Sequence, residues 1–351
     1  MSAYPKGNAM LQRMLQSVAV AALIATSASA AWSQQDIRWG TPPVGTSGHK
    51  AGVALANLLN KEMPQYRISV LPTAGAIATV KGYATKELDG FYGSDVAFRE
   101  LANDTDRFKG FKARVQRVPI QSFWSNTIET GLAIHVRNKD KIKSWADLNG
   151  KRIFTGPLPF DTRAQTERTL AAAGVKFTYV QVDLATVGSQ LESGALDAMS
   201  IYTTSESAPP PWLAEASLAA DWAALNPTAA ELVEMKKKGL AVTEVKPKVF
   251  NRDTHTDTVV EMPFYYGFDV GLEVPEADVY KMLTIIEKNG ADLAKIDPTF
   301  SQVGDPAKMA EFQKRGVESS WDLVPIHPGL AKWMREKGVW DTKWDSKVAK
   351  M

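Results

Sequence analysis

The chain contains no cysteine. That absence excludes thiol nucleophiles, disulfide staples and cysteine-ligated metals. It also suits an oxidising compartment, where a stray thiol is a liability. Charge of one sign is missing as well: 41 basic against 39 acidic residues leave a formal net charge of +2. The longest basic run, Lys236-Lys237-Lys238, follows Glu231 and Glu234 and reads as a solvated helix face. The electrostatic footprint of a nucleic-acid binder is therefore lacking. Histidine is scarce, and His49, His135, His255 and His327 stand too far apart for an H-E-x-x-H or similar site. Each reads as structural or surface, and no metal or cofactor is expected. Gly45-Thr46-Ser47-Gly48 is not the G-x-S-x-G of a nucleophile elbow. Gly40 to Ser47 nearly spells a P-loop, but Thr46 stands where the lysine must be, which excludes nucleotide hydrolysis.

Long hydrophobic runs are confined to the N-terminus. Lys6 and Arg13 precede an apolar stretch from Met14 to Ala25, and Ala28-Ser29-Ala30 supplies the small residues of a cleavage site. This is the pattern of a secretory signal peptide over residues 1–30, with cleavage after Ala30 or Ala31. The apolar run is shorter than the ~20 residues a bilayer span requires. No cysteine follows to carry a lipid, so the mature chain is expected to be a soluble, periplasmic protein. Its length of 351 residues suggests two domains.

The mature chain alternates strands, glycine-rich loops and helices. Ile37–Trp39 reads as a strand, Gly40–Gly48 as a loop, and Ala51, Ala54, Leu55, Leu58 and Leu59 as one face of a helix. Strand Ile68–Leu71, helix Ile77–Thr85, strand Gly90–Gly93 and a helix capped by Ser94 continue the series. Thr130–Arg137 reads as a long strand. A second series then follows: a one-turn helix from Ser144 to Gly150 with Ser144 as cap, strand Ile153–Thr155, helix Thr162–Ala173, strand Phe177–Val182, helix Val187–Glu192 and strand Ala198–Ile201. An irregular stretch begins at Pro209. Met262–Val270 reads as a buried strand and Asp278–Leu293 as an amphipathic helix. The Trp-rich C-terminus is expected to pack back onto the first domain.

This order predicts an α/β fold with mostly parallel sheets. The loops Thr41–Gly48, Thr73–Ala76 and Gly93–Asp95 should then meet at the carboxyl ends of the strands, where such sheets bind ligands. Glycine-rich turns feeding helix starts expose unpaired N–H groups beside a positive dipole end, which suits an anion. Thr46, Ser47 and Thr162 can add hydroxyl donors and Arg163 a formal charge. Asp161 either caps its helix or faces the ligand.

Six segments together resemble the TAXI-type solute receptors of TRAP (tripartite ATP-independent periplasmic) transporters. They are I-R-W-G-T-P-P-V-G-T-S-G-H, V-L-P-T-A-G-A, E-L-D-G-F-Y-G-S-D-V-A-F, I-K-S-W-A-D-L-N-G-K-R-I, G-P-L-P-F-D-T-R-A and L-E-S-G-A-L-D-A-M. The resemblance is carried by their order and spacing, and it fades in the last third of the chain. It implies a periplasmic-binding-protein-like fold of type II: two α/β lobes joined by a hinge, with the ligand cleft between them. The lobes would comprise residues 36–130 with 265–351, and residues 131–264. It implies a monomeric receptor, not an enzyme, that takes up a small organic acid or amino acid and delivers it to TRAP membrane permease subunits. A sensing subunit of a signalling receptor, or an enzyme on the same fold, are the alternatives. By position the resemblance assigns binding roles to Thr41, Gly45, Thr46 and Ser47, to Thr73, Ala74 and Gly75, to Ser94 and Asp95, and to Thr162, Arg163 and Tyr202. Compared with the family pattern, Ala74 and Ala76 stand where Gly and Ser are usual. Phe160 and Asp161 precede Thr162, where Phe160 would narrow the pocket or stack on a ring.

Overall fold

The computed structural model describes residues 34–350, so the expected signal peptide lies outside the described residues. The first half-unit runs β1 (Gln35–Thr41), α1 (Ser47–Glu62), β2 (Tyr66–Pro72), α2 (Ala76–Ala84), β3 (Gly90–Ser94) and α3 (Asp95–Asn103). A 12-residue strand, β4 (Trp124–His135), leads to the second unit. There β5 (Arg152–Phe154), α4 (Asp161–Ala172), β6 (Thr178–Tyr179), α5 (Val187–Glu192) and β7 (Ala198–Thr204) repeat the order. Next come α6 (Pro211–Ala219), β8 (Trp222–Ala224), α7 (Ala229–Lys237) and β9 (Thr243–Val245). A second 12-residue strand, β10 (Val259–Val270), returns to the first unit, which α8 (Glu276–Ile296), α9 (Pro306–Ser320) and α10 (Pro328–Glu336) complete.

The strand order β2-β1-β3-β10-β4-β7-β5-β6 contains the same arrangement twice. In each lobe three parallel strands are followed by one antiparallel strand that arrives from the other lobe. In lobe I that strand is β10, paired with β3; in lobe II it is β4, paired with β7. The two visitors pair with each other in the middle, from Met262 opposite Thr130 to Gly267 opposite Trp124. They carry the chain from lobe to lobe and hydrogen-bond to each other where they cross.

Each lobe closes its own core. In lobe I, α1 turns Ala51, Leu55, Ala56 and Leu59 inward at helical spacing, against Trp39, Phe268 and the C-terminal helices. Trp333 and Trp344 are buried in that same core. In lobe II the two faces of β4 alternate. Leu132 and Ile134 face Leu170 of α4 and Met235 of α7, whereas Ala133 faces Leu191 of α5 and Leu213 of α6. This period-2 division gives a helix–sheet–helix sandwich.

Four sequence expectations need correction. β4 starts at Trp124, not Thr130, because Asn126, Thr127 and Glu129 are buried polar residues that pair with β10 or β7, with buried Ser125 at a bulge between Trp124 and Asn126. The strand expected over Phe177–Val182 shrinks to Thr178–Tyr179 at the sheet edge. The stretch after Pro209 is regular: Pro211 sits in the first turn of α6. The turn expected over Ser144–Gly150 is shorter, Ala146–Leu148, with Ser144 still capping it: its Oγ accepts from Asp147 N (3.3 Å), and the Asp147 carboxylate accepts from Ser144 N (2.9 Å).

Candidate functional site

Three helices begin at the cleft between the lobes. α1 is capped by Thr46, whose Oγ1 accepts from His49 N (3.3 Å) and donates to Pro43 O (2.8 Å). α2 starts after Gly75, which has no side chain to cap it. α4 starts after Phe160, which likewise makes no capping bond. The first N–H groups of these helices have no intrahelical acceptor. They surround a cavity of about 60 Å³ lined by Thr46, Ser47 and Gly48, by Gly75 and Ala76, and by Phe160, Asp161 and Thr162. The sheet supplies the floor: Tyr92, Ile128, Tyr202, Thr204 and Tyr266. Tyr92 and Tyr266 stack with centroids 4.5 Å apart, and burial raises both hydroxyls well above the ordinary tyrosine range. The Tyr202 hydroxyl accepts from the Trp212 indole (3.3 Å), and burial pushes it up to about 12. Thr204 is buried, and its Oγ1 has no partner among the described residues. A buried hydroxyl without a partner is costly unless something fills the space beside it.

Of the residues expected to bind, the structure brings Thr46, Ser47, Gly75, Asp161, Thr162 and Tyr202 to this cavity. The others lie elsewhere. Thr41 is fully buried behind the loop, with Oγ1 2.8 Å from His49 Nδ1. Its carbonyl accepts from Thr73 N (2.8 Å) and Thr73 Oγ1 (3.0 Å), which ties the first two loops together. Gly45 and Ala74 are exposed, and Gly45 takes φ +89, a left-handed turn that suits glycine. Ser94 caps α3 by accepting from Ala97 N and donates its own proton to Asp161. Asp95 faces the outside of the cleft, where its Oδ1 accepts from Tyr265 N at 3.1 Å. Arg163 also points outward: it pairs with Glu167 (2.7 Å) and lies over the Tyr179 ring at 4.0 Å. It therefore places no charge in the cavity.

Asp161 does not cap α4. Its carboxylate is 1% exposed and crosses from lobe II to lobe I. There it accepts from Ser94 Oγ (2.6 Å), the Tyr266 hydroxyl (2.9 Å) and Arg107 Nη1 (2.7 Å). Arg107 also grips Glu100 through Nε and Nη2. Burial opposes the guanidinium charge, but Asp161 and Glu100 more than offset it and hold Arg107 above its usual range. This network is a latch between the lobes, and its partners lie more than 50 residues from Asp161 in sequence.

A second buried network sits where the crossing strands meet. Thr203 Oγ1 lies 2.7 Å from Glu129 Oε2 and 2.6 Å from Glu261 Oε2. One hydroxyl proton serves only one carboxylate, so a carboxyl must donate the second bond. Burial and the neighbouring Glu129 push Glu261 well above the carboxylate range, and burial pushes Glu129 up to about 7. Glu129 keeps further donors, Glu206 N at 2.9 Å among them, whereas Glu261 Oε1 has none among the described residues. Glu261 is thus the protonated member.

Two α/β lobes with matching strand order, joined by two exchanged strands and enclosing a polar cavity, define a periplasmic-binding-protein-like fold of type II. The chain belongs to the NMT1-like family, whose sequence profile matches residues 39–338. No curated protein matches it. Among solved structures it is similar to the periplasmic aliphatic sulphonate binding protein SsuA from Escherichia coli, at 17% identity over 90% of this chain and 84% of that one, with a TM-score of 0.41. It is similar to the alkanesulfonate-binding protein SsuA from Xanthomonas axonopodis pv. citri, at 14% identity over 90% and 96%, with a TM-score of 0.42. A putative L-cystine ABC transporter from Listeria monocytogenes gives 14% identity over 75% and 94%, with a TM-score of 0.42.

Proposed function

We propose that this chain is an exported periplasmic receptor of a TRAP-type secondary transporter, with lobes over residues 36–130 plus 265–351 and residues 131–264. It captures a small carboxylate-containing metabolite and hands it to membrane permease subunits, with no chemistry and no cofactor of its own. The observation that carries the reading is the convergence of three helix N-termini on a cavity that is also lined by Thr204, whose buried hydroxyl has no partner among the described residues. Backbone N–H groups at helix starts are a ready anion site. The hydroxyls of Ser47, Thr162, Tyr202 and Thr204 complete a donor-rich lining, so the carboxylate is held by dipoles and not by Arg163.

The cavity of about 60 Å³ is far below the ~300–1,000 Å³ of ordinary ligand pockets. A solute enters only when the lobes part and Asp161 leaves its partners on lobe I. Capture and closure are then one event, and the closed face is what the permease recognises. Thermal-shift measurements across small carboxylates and amino acids test the reading. A true ligand raises Tm progressively with its concentration. Solute uptake by the reconstituted permease should require a sodium gradient and ignore ATP. Stabilisation by no carboxylate, or uptake driven by ATP, would overturn it.

A further inference from the structure

Outside the cavity, beyond Phe160, a groove of about 640 Å³ runs between α3 of lobe I and α4 of lobe II. Four arginines line it: Arg99 and Arg107 from lobe I, Arg163 and Arg168 from lobe II. Two are engaged, Arg107 by Glu100 and Asp161, and Arg163 by Glu167. Arg99 and Arg168 form no ion pair or side-chain hydrogen bond among the described residues. Both also line the adjoining hollow of about 300 Å³, together with Asp95 and Arg315. The two thus share both hollows from opposite lobes; burial and the Arg99 charge lower the Arg168 pKa, against the opposing pull of Asp95. The nearby carboxyl, Asp95, does not settle the imbalance, because burial pushes it up to about 7 and it is partly neutral near that pH. Glu318, in the same hollow, is paired with Lys343. Asp106 also lines the groove but pairs with neither arginine, so closure brings together two like charges that have no ion-pair partner among the described residues.

We propose that this groove binds a small dianion, of the phosphate or short dicarboxylate type, between Arg99 and Arg168. Planar guanidiniums present paired N–H donors that match the oxygen edges of such anions. One guanidinium comes from each lobe, so the anion bridges the lobes from outside and favours the closed form. The site is independent of what the inner cavity holds.

The test is melting and calorimetry of the mature chain with inorganic phosphate and, separately, succinate, at ionic strength held constant with chloride. At least one of the two raises Tm saturably beyond chloride. Arg99→Gln and Arg168→Gln each weaken that binding at least tenfold, and the double variant abolishes it. Without anion the double variant melts no lower than wild type, since a repulsion has been removed; this also shows that it folds. The arm that responds identifies the anion. Absence of a saturable shift for both anions, or full retention by the double variant of every shift seen, would overturn the proposal.

Discussion

The two compartments between the lobes differ in how they handle charge. The inner cavity is small and donor-rich, and its one formal charge, Asp161, is neutralised by a partner from the opposite lobe. The outer groove is about ten times larger and carries arginines of which two stand unpaired among the described residues. The difference follows from burial. A charge taken fully out of water must be paired and hydrogen-bonded, whereas a partly exposed one keeps part of its hydration. The inner site must therefore attract a solute with fixed dipoles, and the outer groove alone has formal charge to offer.

If this division is right, the largest effect of a single substitution comes from the latch. Asp161→Ala leaves Arg107 buried with only Glu100, and it strips the acceptor from Ser94 and Tyr266. Loss of one partner of such a pair costs about 3–5 kcal/mol, read by chemical denaturation. An unchanged midpoint would mean that the lobes are held by packing alone.

The hinge carboxyls come next. Glu129 and Glu261 have raised pKa values in the folded chain, so their stabilising effect is full below about pH 4.5 and is lost as pH rises through 7. Stability should decline from pH 5 to 8, by about 3 kcal/mol for the Glu129 shift alone. Glu261→Gln, which keeps the neutral shape, should flatten that decline. Equal slopes for both proteins would place the pH sensitivity elsewhere.

A smaller effect separates binding from folding. Thr204→Val removes the unpartnered hydroxyl, so the free protein should gain or hold stability, within about 1 kcal/mol. Affinity for the solute should fall about tenfold. Smallest of all is Arg163→Ala. Its partly exposed pair with Glu167 contributes at most about 1 kcal/mol, and solute affinity should not change. A large loss of affinity there would return formal charge to the inner site.

Much of lobe I was legible in the sequence because its glycine-rich loops punctuate regular helical faces. Thr46, Ser47, Gly75 and Thr162 were legible for the same reason, since each sits at a loop-to-helix start. Arg163 was not, yet the geometry needed was simple. At 100° per residue it stands about 200° round the helix from Asp161, so the two cannot face the same cavity. The pairing of Arg163 with Glu167 one turn on was readable from their spacing. Thr204 was within reach too: it lies two positions after Tyr202 on β7, hence on the same face. Tyr92 and Tyr266 were not, because they meet only once β10 has returned from the other lobe to pair with β3. The polar start of β4 was hidden likewise, since its burial depends on partners more than 70 residues away.

The central claim is that helix N–H groups, and not a charged side chain, hold the solute. Ser47 is the first residue of α1, where proline is tolerated and no intrahelical bond is lost. Calorimetric titration of the best stabilising carboxylate should be compared across wild type, Ser47→Ala and Ser47→Pro. The alanine variant removes the hydroxyl, and the proline variant removes the N–H as well. Affinity at least tenfold lower for proline than for alanine is the predicted result; equal affinities for the two variants would contradict the account.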